Sequence, residues 1–327
     1  MTVEPCPDHV VLEVTSRCNL RCKGCAFHGP EAFVSRPTGT MPETTWRKAI
    51  KEIGEWGHPL TLAANGGGEP LLHPHFREIL LYARLFPQLR LGFLTNGMLM
   101  DAEWADFLVD IGVDWVAVSI DGISPYTHRQ VRPGSDLDLI EENLIRLLDR
   151  KARTRNGRPD ILLNMVLYDE VADQKEAFLK KWIQRVDRVM ISYYRNPPSS
   201  KRWPFTPSGR RPCSLLWSQM VIAWDGRLAL CCEDFNLDYP LGSVQDKGPL
   251  LDIWNGPRLA SVRTLHEQGR FEAHPLCREC DTWADSIVEE RVDATNRYRT
   301  WFKASQVEYA LLNAAEDGLK HAETAGT

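Results

Sequence analysis

Six short apolar runs, separated by five amphipathic stretches, limit what this chain can become more than any other feature. The runs are Val10–Val14, Leu60–Ala64, Leu89–Thr95, Trp115–Ile120, Ile161–Leu167 and Arg188–Tyr193, and each reads as a strand. Between them, Pro42–Trp56, His75–Phe86, Ala102–Ile111, Asp138–Arg150 and Val171–Gln184 read as helices. Such alternation argues for an α/β fold of βα units around a parallel sheet. Because those crossovers are right-handed, the sheet is expected to curl into a full or partial barrel.

The pattern changes after this region. Arg195–Pro212 is rich in Pro, Ser, Arg and Gly, which suits a linker or lid. Gln219–Trp224 and Arg227–Cys232 then flank Asp225-Gly226, a strong hairpin signal. Helical pieces follow at Leu250–Trp254 and Arg258–Gln268, and Trp283 to Ala315 reads as a mostly polar helix before a frayed tail. The expected division is a barrel over 1–195, a linker over 196–212, a small domain over 213–285, and a C-terminal helix and tail over 286–327.

Composition excludes several classes of function. The net charge of −5 gives no reason to expect nucleic acid or an anionic membrane as partner. No apolar stretch approaches a membrane span, and the first nine residues lack the basic and apolar regions of a secretory signal. Nine cysteines in such a chain point to metal or catalytic roles in a reducing, cytoplasmic compartment.

Three of those cysteines, Cys18, Cys22 and Cys25, form a C-x3-C-x2-C set just after the first apolar run. Three thiolates on one loop would leave one iron of a four-iron cube without a protein ligand, open to a small molecule. A zinc site with His28 as fourth ligand is the rival, although structural zinc usually takes C-x2-C pairs. A disulfide framework suits small secreted domains better than this chain.

With this triplet stand Gly66-Gly67-Gly68-Glu69-Pro70 after the second strand, Thr95-Asn96-Gly97 after the third and Ser119-Ile120-Asp121-Gly122 after the fourth. In that order the four segments resemble those of the radical S-adenosylmethionine (SAM) enzymes, over roughly residues 9–194. The resemblance implies a partial (β/α)6 barrel with a small twitch-like C-terminal domain. It also implies SAM and an open 4Fe-4S cluster as cofactors, and an external electron donor such as a flavodoxin or ferredoxin. Gly66, Gly67, Gly68, Glu69, Asn96, Ser119, Asp121 and Arg132, with Arg129 as a further arginine, are the expected cofactor contacts. Glycines let backbone approach a ligand closely or adopt φ > 0, and Glu69 could accept from an ammonium group. The family usually has an aromatic residue just before the third cysteine; this chain has Gly24, with Phe27 as a substitute.

Cys213, Cys231, Cys277 and Cys280 make a second set, C-x12-G-x4-C followed by C-x2-C. It is similar to the twitch domain, the shortened SPASM extension, which implies one fully ligated auxiliary 4Fe-4S cluster. Four-thiolate zinc is the alternative on spacing alone. Two cysteines remain. Cys6 lies in a Pro-flanked tail, and Cys232 directly follows a ligand at a strand end, where its side chain would face the opposite way. It is either a small buried hydrophobe or a thiol that returns hydrogen to a substrate radical.

The family resemblance implies hydrogen abstraction from an unactivated carbon by a 5′-deoxyadenosyl radical. With Cys232 as donor, the expected outcome is inversion of a carbinol carbon in a sugar-type intermediate of antibiotic biosynthesis. Dehydrogenation to a ketone, with the auxiliary cluster accepting the electron, is the alternative, and peptide modification is a further one. The chain has no room for a leader-binding domain before Val10, which favours a saccharide or aminocyclitol. Trp203, Trp217, Trp224, Tyr193 and Tyr194 could stack on a sugar or be simple core. An iron–sulfur electron carrier or a zinc-stabilised binding module is the non-catalytic reading, but neither needs an open iron.

Overall fold

A computed structural model describes residues 6–194, 209–293 and 297–312. The linker from 195 to 208, with Trp203, and the tail beyond 312 lie outside the described residues.

Strands β1 (His9–Leu12), β2 (Leu60–Ala64), β3 (Leu89–Thr95), β4 (Trp115–Ser119), β5 (Asp160–Leu167) and β6 (Arg188–Tyr193) fall where the apolar runs predict. They pair in sequence order, all parallel. Helices α1 (Glu43–Glu55), α2 (Phe76–Ala83), α3 (Ala102–Asp110), α4 (Pro125–Val131), α5 (Leu137–Ala152) and α6 (Lys175–Trp182) occupy the crossovers. Asp101, Ser124 and Asp136 cap α3, α4 and α5 by accepting from first-turn amides, which satisfies donors that a helix start leaves open. Alternate residues of β1 point opposite ways. Val10 and Leu12 are buried in the main core with Trp46, Ile50 and Ile53 of α1, while His9, Val11 and Glu13 face a cavity.

The second region does not form a separate sheet. Strand β7 (Gln219–Ile222) pairs parallel with β1, and β8 (Arg227–Ala229) and β9 (Gly242–Ser243) follow antiparallel. The hairpin turn closes at Asp225-Gly226 as expected, with Gly226 at φ +87°, a conformation that favours glycine.

The C-terminal helix expected after Trp283 is a misreading. A short 3-10 turn at Thr282–Ser286 gives way to β10 (Glu289–Asp293), β11 (Tyr298–Phe302) and β12 (Gln306–Leu311). These form an antiparallel meander whose last strand pairs with β6, extending a sheet that has twelve strands among the described residues. Tyr298, Thr300 and Phe302 carry the two-residue period of a strand. The free edge of β6 supplies the partner that decides the matter, because an open edge presents unpaired amides and carbonyls.

Candidate active site

The cysteine triplet sits on the long loop between β1 and α1, at the carboxyl end of the parallel strands, the end at which βα folds build their sites. Several bonds hold this loop in shape. Gly29 N–H donates to Cys25 O and Lys23 N–H to Val131 O. His28 presents Nε2 to Ser16 O at 2.9 Å and to Gly67 O at 3.0 Å, and its amide lies 3.4 Å from Cys25 Sγ. The ring therefore ties the loop to the glycine segment, where the zinc reading would make it a ligand.

Gly66, Gly67 and Gly68 are needed for space. None has positive φ, which corrects half of the reason expected for them. A Cβ on Gly67 would lie 2.4 Å from the Phe27 ring, and one on Gly68 2.3 Å from Arg17 O. Glu69 follows, buried, and its carboxylate is already engaged. Oε1 accepts from Leu71 N–H and Thr95 Oγ1, and Oε2 accepts from Asn96 N–H at 2.7 Å. Burial raises its pKa to about 7 against the pull of these bonds. Glu69 thus joins the glycine segment to the end of β3, and Asn96 in turn donates to Asn19 on the cysteine loop at 2.8 Å.

Asp121 is similarly committed. Oδ2 accepts from Arg132 Nε at 2.6 Å and Oδ1 from Val166 N–H at 2.6 Å. Its part is to aim Arg132, whose Nη1 lies 3.7 Å from Cys22 Sγ. Arg132 is buried beside the loop, Ser119 is buried at the end of β4, and Arg129 is exposed. The space an aromatic residue would take at position 24 is filled from elsewhere. A Cβ on Gly24 would meet Tyr194 at 2.4 Å and the Tyr168 hydroxyl at 2.6 Å. Those two rings pack with centroids 4.7 Å apart. Phe27 instead packs on Gly67, edge-on to Phe235 and beneath the Arg36 guanidinium.

A residue the motif search passed over joins these parts. Glu13, at the end of β1, is 3% exposed and accepts from Gly67 N–H, Trp224 N–H and Arg36 Nη2. One carboxylate thereby connects the glycine segment, the hairpin turn and the loop after the cysteines. The signal was present as a lone acid inside an apolar strand; buried charges are paired.

Two cavities meet behind this framework. Cys213, Cys231, Cys277 and Cys280 line one of them together. The other, of about 320 Å³, is lined by Glu13, Phe27, Arg36, Asn65, Gly66 and Gly67 from the barrel side and by β7, β8 and the turn beyond. Cys231 and Cys232 line both. The strand-alternation argument for Cys232 needs correcting, since β8 ends at Ala229 and Asp234 N–H closes a turn on Cys231 O. Of the expected aromatic platforms, Trp217, Trp224, Tyr193 and Tyr194 are absent from the lining of the larger cavity; Phe27 and Phe235 are there instead.

The donors suit iron–sulfur clusters. All nine cysteines are described and none forms a disulfide. Burial pushes the Cys18 thiol up to about 11, with the negative charge of Glu69, Cys22 and Cys25 adding to it. Burial likewise raises Cys213 and Cys277 to about 11 and holds Cys231 well above the usual thiol range. Grouped thiols that resist ionisation alone become thiolates when a cation shares the site. Among the described residues, no three His, Cys, Asp or Glu side chains converge to hold a single ion.

Comparison with known proteins agrees with the geometry. The family model for the Radical SAM superfamily matches residues 12–181, more than half of the chain. The chain belongs to the radical SAM superfamily. A second model, for an iron-sulfur cluster-binding domain of SPASM type, matches residues 213–281. The cofactors of this radical SAM protein are accordingly SAM and two iron–sulfur clusters. Cys18, Cys22 and Cys25 would hold the first cluster, and Cys213, Cys231, Cys277 and Cys280 the second.

Among curated relatives is the tungsten-containing aldehyde ferredoxin oxidoreductase cofactor-modifying protein of Pyrococcus furiosus. It is 23% identical over 83% of this chain and 86% of its own length. Among solved structures, BtrN in complex with AdoMet and 2-DOIA aligns with TM-score 0.58 and 17% identity over 85% of this chain and 94% of that one. Native anSMEcpe with bound AdoMet and Kp18Cys peptide aligns with TM-score 0.61 and 17% identity over 86% of this chain and 90% of that one. These likenesses show the shared partial barrel and its extension. No described helix is long and apolar enough to cross a membrane.

Proposed function

We propose that this radical SAM enzyme inverts a carbinol carbon of a sugar-type small molecule, with Cys232 returning the hydrogen atom. The observation that supports this reading is the shared wall. Cys232 lines the cavity beside Gly66 and Gly67 and also the cavity of the four downstream cysteines.

Bound SAM and the open cluster supply the power to remove a hydrogen atom from an unactivated carbon. The chain supplies the rest. His28 ties the glycine segment to the cysteine loop, while Glu13 anchors it to the end of β1 and Glu69 to the end of β3, so that cofactor and substrate meet in one geometry. Arg132, aimed by Asp121, offers a cation beside the loop for a carboxylate. Cys232 gives a hydrogen atom to the carbon radical on the face opposite to abstraction, forming a C–H bond and breaking its S–H bond. Restoring that thiol takes one electron, from an external reductant, and one proton from solvent. Cys231, expected as a ligand of the auxiliary cluster, lies on the same wall.

Dehydrogenation would use that wall differently, since a substrate radical beside Cys231 could lose its electron towards the auxiliary site. BtrN, which shares the fold, was crystallised with 2-DOIA. One experiment separates the two. Anaerobically reconstituted enzyme is turned over with an aminocyclitol or aminosugar in heavy water. Inversion predicts one solvent deuterium at the inverted carbon, and Cys232→Ala is expected to stop product formation while 5′-deoxyadenosine still accumulates. A ketone from both wild type and variant would establish the dehydrogenase.

A further inference from the structure

Arg210 stands three residues before Cys213, at the start of the second described segment. Its guanidinium reaches the loop of the downstream cysteine pair. Nη1 donates to Arg278 O at 3.1 Å and Nη2 to Cys277 O. The cation also lies 4.9 Å from the centre of the Phe271 ring, a contact that helps to hold a guanidinium in one pose. So placed, Arg210 lines the cavity that Cys213, Cys231, Cys277 and Cys280 share.

What this cation lacks is an anion. Its hydrogen-bond partners among the described residues are carbonyl oxygens, and no carboxylate pairs with it there. Charges drawn out of water are ordinarily paired, and Arg210 is half-buried. Glu233 is the other charged side chain on the cavity wall, and it accepts from Thr282 Oγ1 at 2.9 Å. His266 adds no charge. Its Nδ1 accepts from Cys213 N–H at 3.1 Å, which requires that nitrogen to be unprotonated. Leu215, Leu216, Leu276 and Trp283 give the rest of the wall an apolar face, so a charge is felt there with less screening than in water.

A four-iron cube held by four thiolates is an anion, and reduction adds a further negative charge. Net charge around such a cube is one of the terms that set its potential. A fixed cation favours the reduced form over the oxidised one. We infer that Arg210 is the counter-cation of the auxiliary cluster and raises its reduction potential. This role belongs to the auxiliary site alone and is the same whether the substrate is inverted or oxidised. A cluster that is easier to reduce is the better electron acceptor and the weaker donor, so Arg210 biases electron flow towards that site.

Potentiometric titration of the anaerobically reconstituted holoenzyme, followed by electron paramagnetic resonance, tests this role. The auxiliary signal is the one that Cys277→Ser removes. Arg210→Gln is expected to shift the auxiliary couple about tenfold towards the oxidised form, the scale of one unit charge about 10 Å away at an effective dielectric of about 20. For one electron that is about 59 mV more negative. Arg210→Lys keeps the charge while changing the donor geometry, and it is expected to stay within about threefold of wild type. Glu233→Gln removes a negative charge from the same wall and is expected to move the couple the other way. The potential of the open cluster should hold still in all three variants. A clamp on the cysteine loop would not produce opposite signs. Auxiliary iron kept by Arg210→Lys but lost from Arg210→Gln would also support the counter-cation. An unshifted potential in Arg210→Gln would overturn it, as would a Lys variant displaced as far as the Gln variant. So would Glu233→Gln moving in the same direction as Arg210→Gln, or loss of the auxiliary iron from both Arg210 variants.

Discussion

Gly24 shows how one missing side chain can be read only with its neighbours in view. In the chain it is an exception to a family habit; in the fold it is the gap into which Tyr168 and Tyr194 pack. Gly24→Ala drives a Cβ to 2.4 Å from the Tyr194 ring, so it is expected to lower stability by about 1–3 kcal/mol, as overpacking does. Tyr194→Ala in the same chain should recover much of that loss, which paired denaturant titrations would measure. Glu13 is the opposite case, a side chain whose removal leaves others stranded. The pair with Arg36 is 3% and 8% exposed on its two sides. Glu13→Ala is therefore expected to cost about 3–5 kcal/mol by leaving a buried guanidinium unpaired. It should also loosen Gly67 and so weaken SAM binding, a loss that dialysis of labelled SAM would detect separately from stability.

At the scale of elements, β6 and β1 each carry a partner that the βα pattern does not announce. β12 lies antiparallel on β6 and β7 lies parallel on β1, so both edges of the six-stranded barrel sheet are covered. Covered edges keep a sheet from pairing with foreign strands. Val307, paired with Ile191 and 1% exposed, anchors the first of these contacts. Val307→Asp would bury an unpaired charge, and we expect a loss on the order of 3 kcal/mol. Hydrogen exchange should then quicken in β10–β12 and β6 before it does in β2 or β3. The parallel seat of β7 matters more for function. It carries the hairpin, and with it Cys231 and Cys232, against the inner face of the barrel.

For the whole molecule, the two groups of cysteines are far apart in sequence and stand on different elements, one on the loop after β1 and the other lining a cavity of its own, and their independence can be tested. Cys277→Ser should reduce bound iron from about eight to about four atoms per chain, the content of one 4Fe-4S cluster. Reductive cleavage of SAM should survive, because the upstream loop is untouched. Cys22→Ser should do the reverse, keeping the auxiliary iron and abolishing 5′-deoxyadenosine formation. Iron analysis with product chromatography on both variants would check this.

Local patterning was enough to read the barrel. Six apolar runs became six parallel strands within a residue or two of their expected ends, because a strand buried between helices must be apolar wherever the register falls. The cysteine triplet and the Cys277–Cys280 pair stand out in the chain because one residue type recurs there at short spacings. Sequence alone could not disclose contacts between residues with no local rule. Examples are Glu13 reaching Gly67 and Trp224, tyrosines filling the gap over Gly24, and Arg36, Asn65 and Gln219 meeting around one space. The C-terminal strands belong with these, since a polar, aromatic stretch takes its conformation from the edge it can pair with. Periodicity and cysteine spacing are written along the chain. The shape and polarity of a cavity exist only once distant segments are brought face to face.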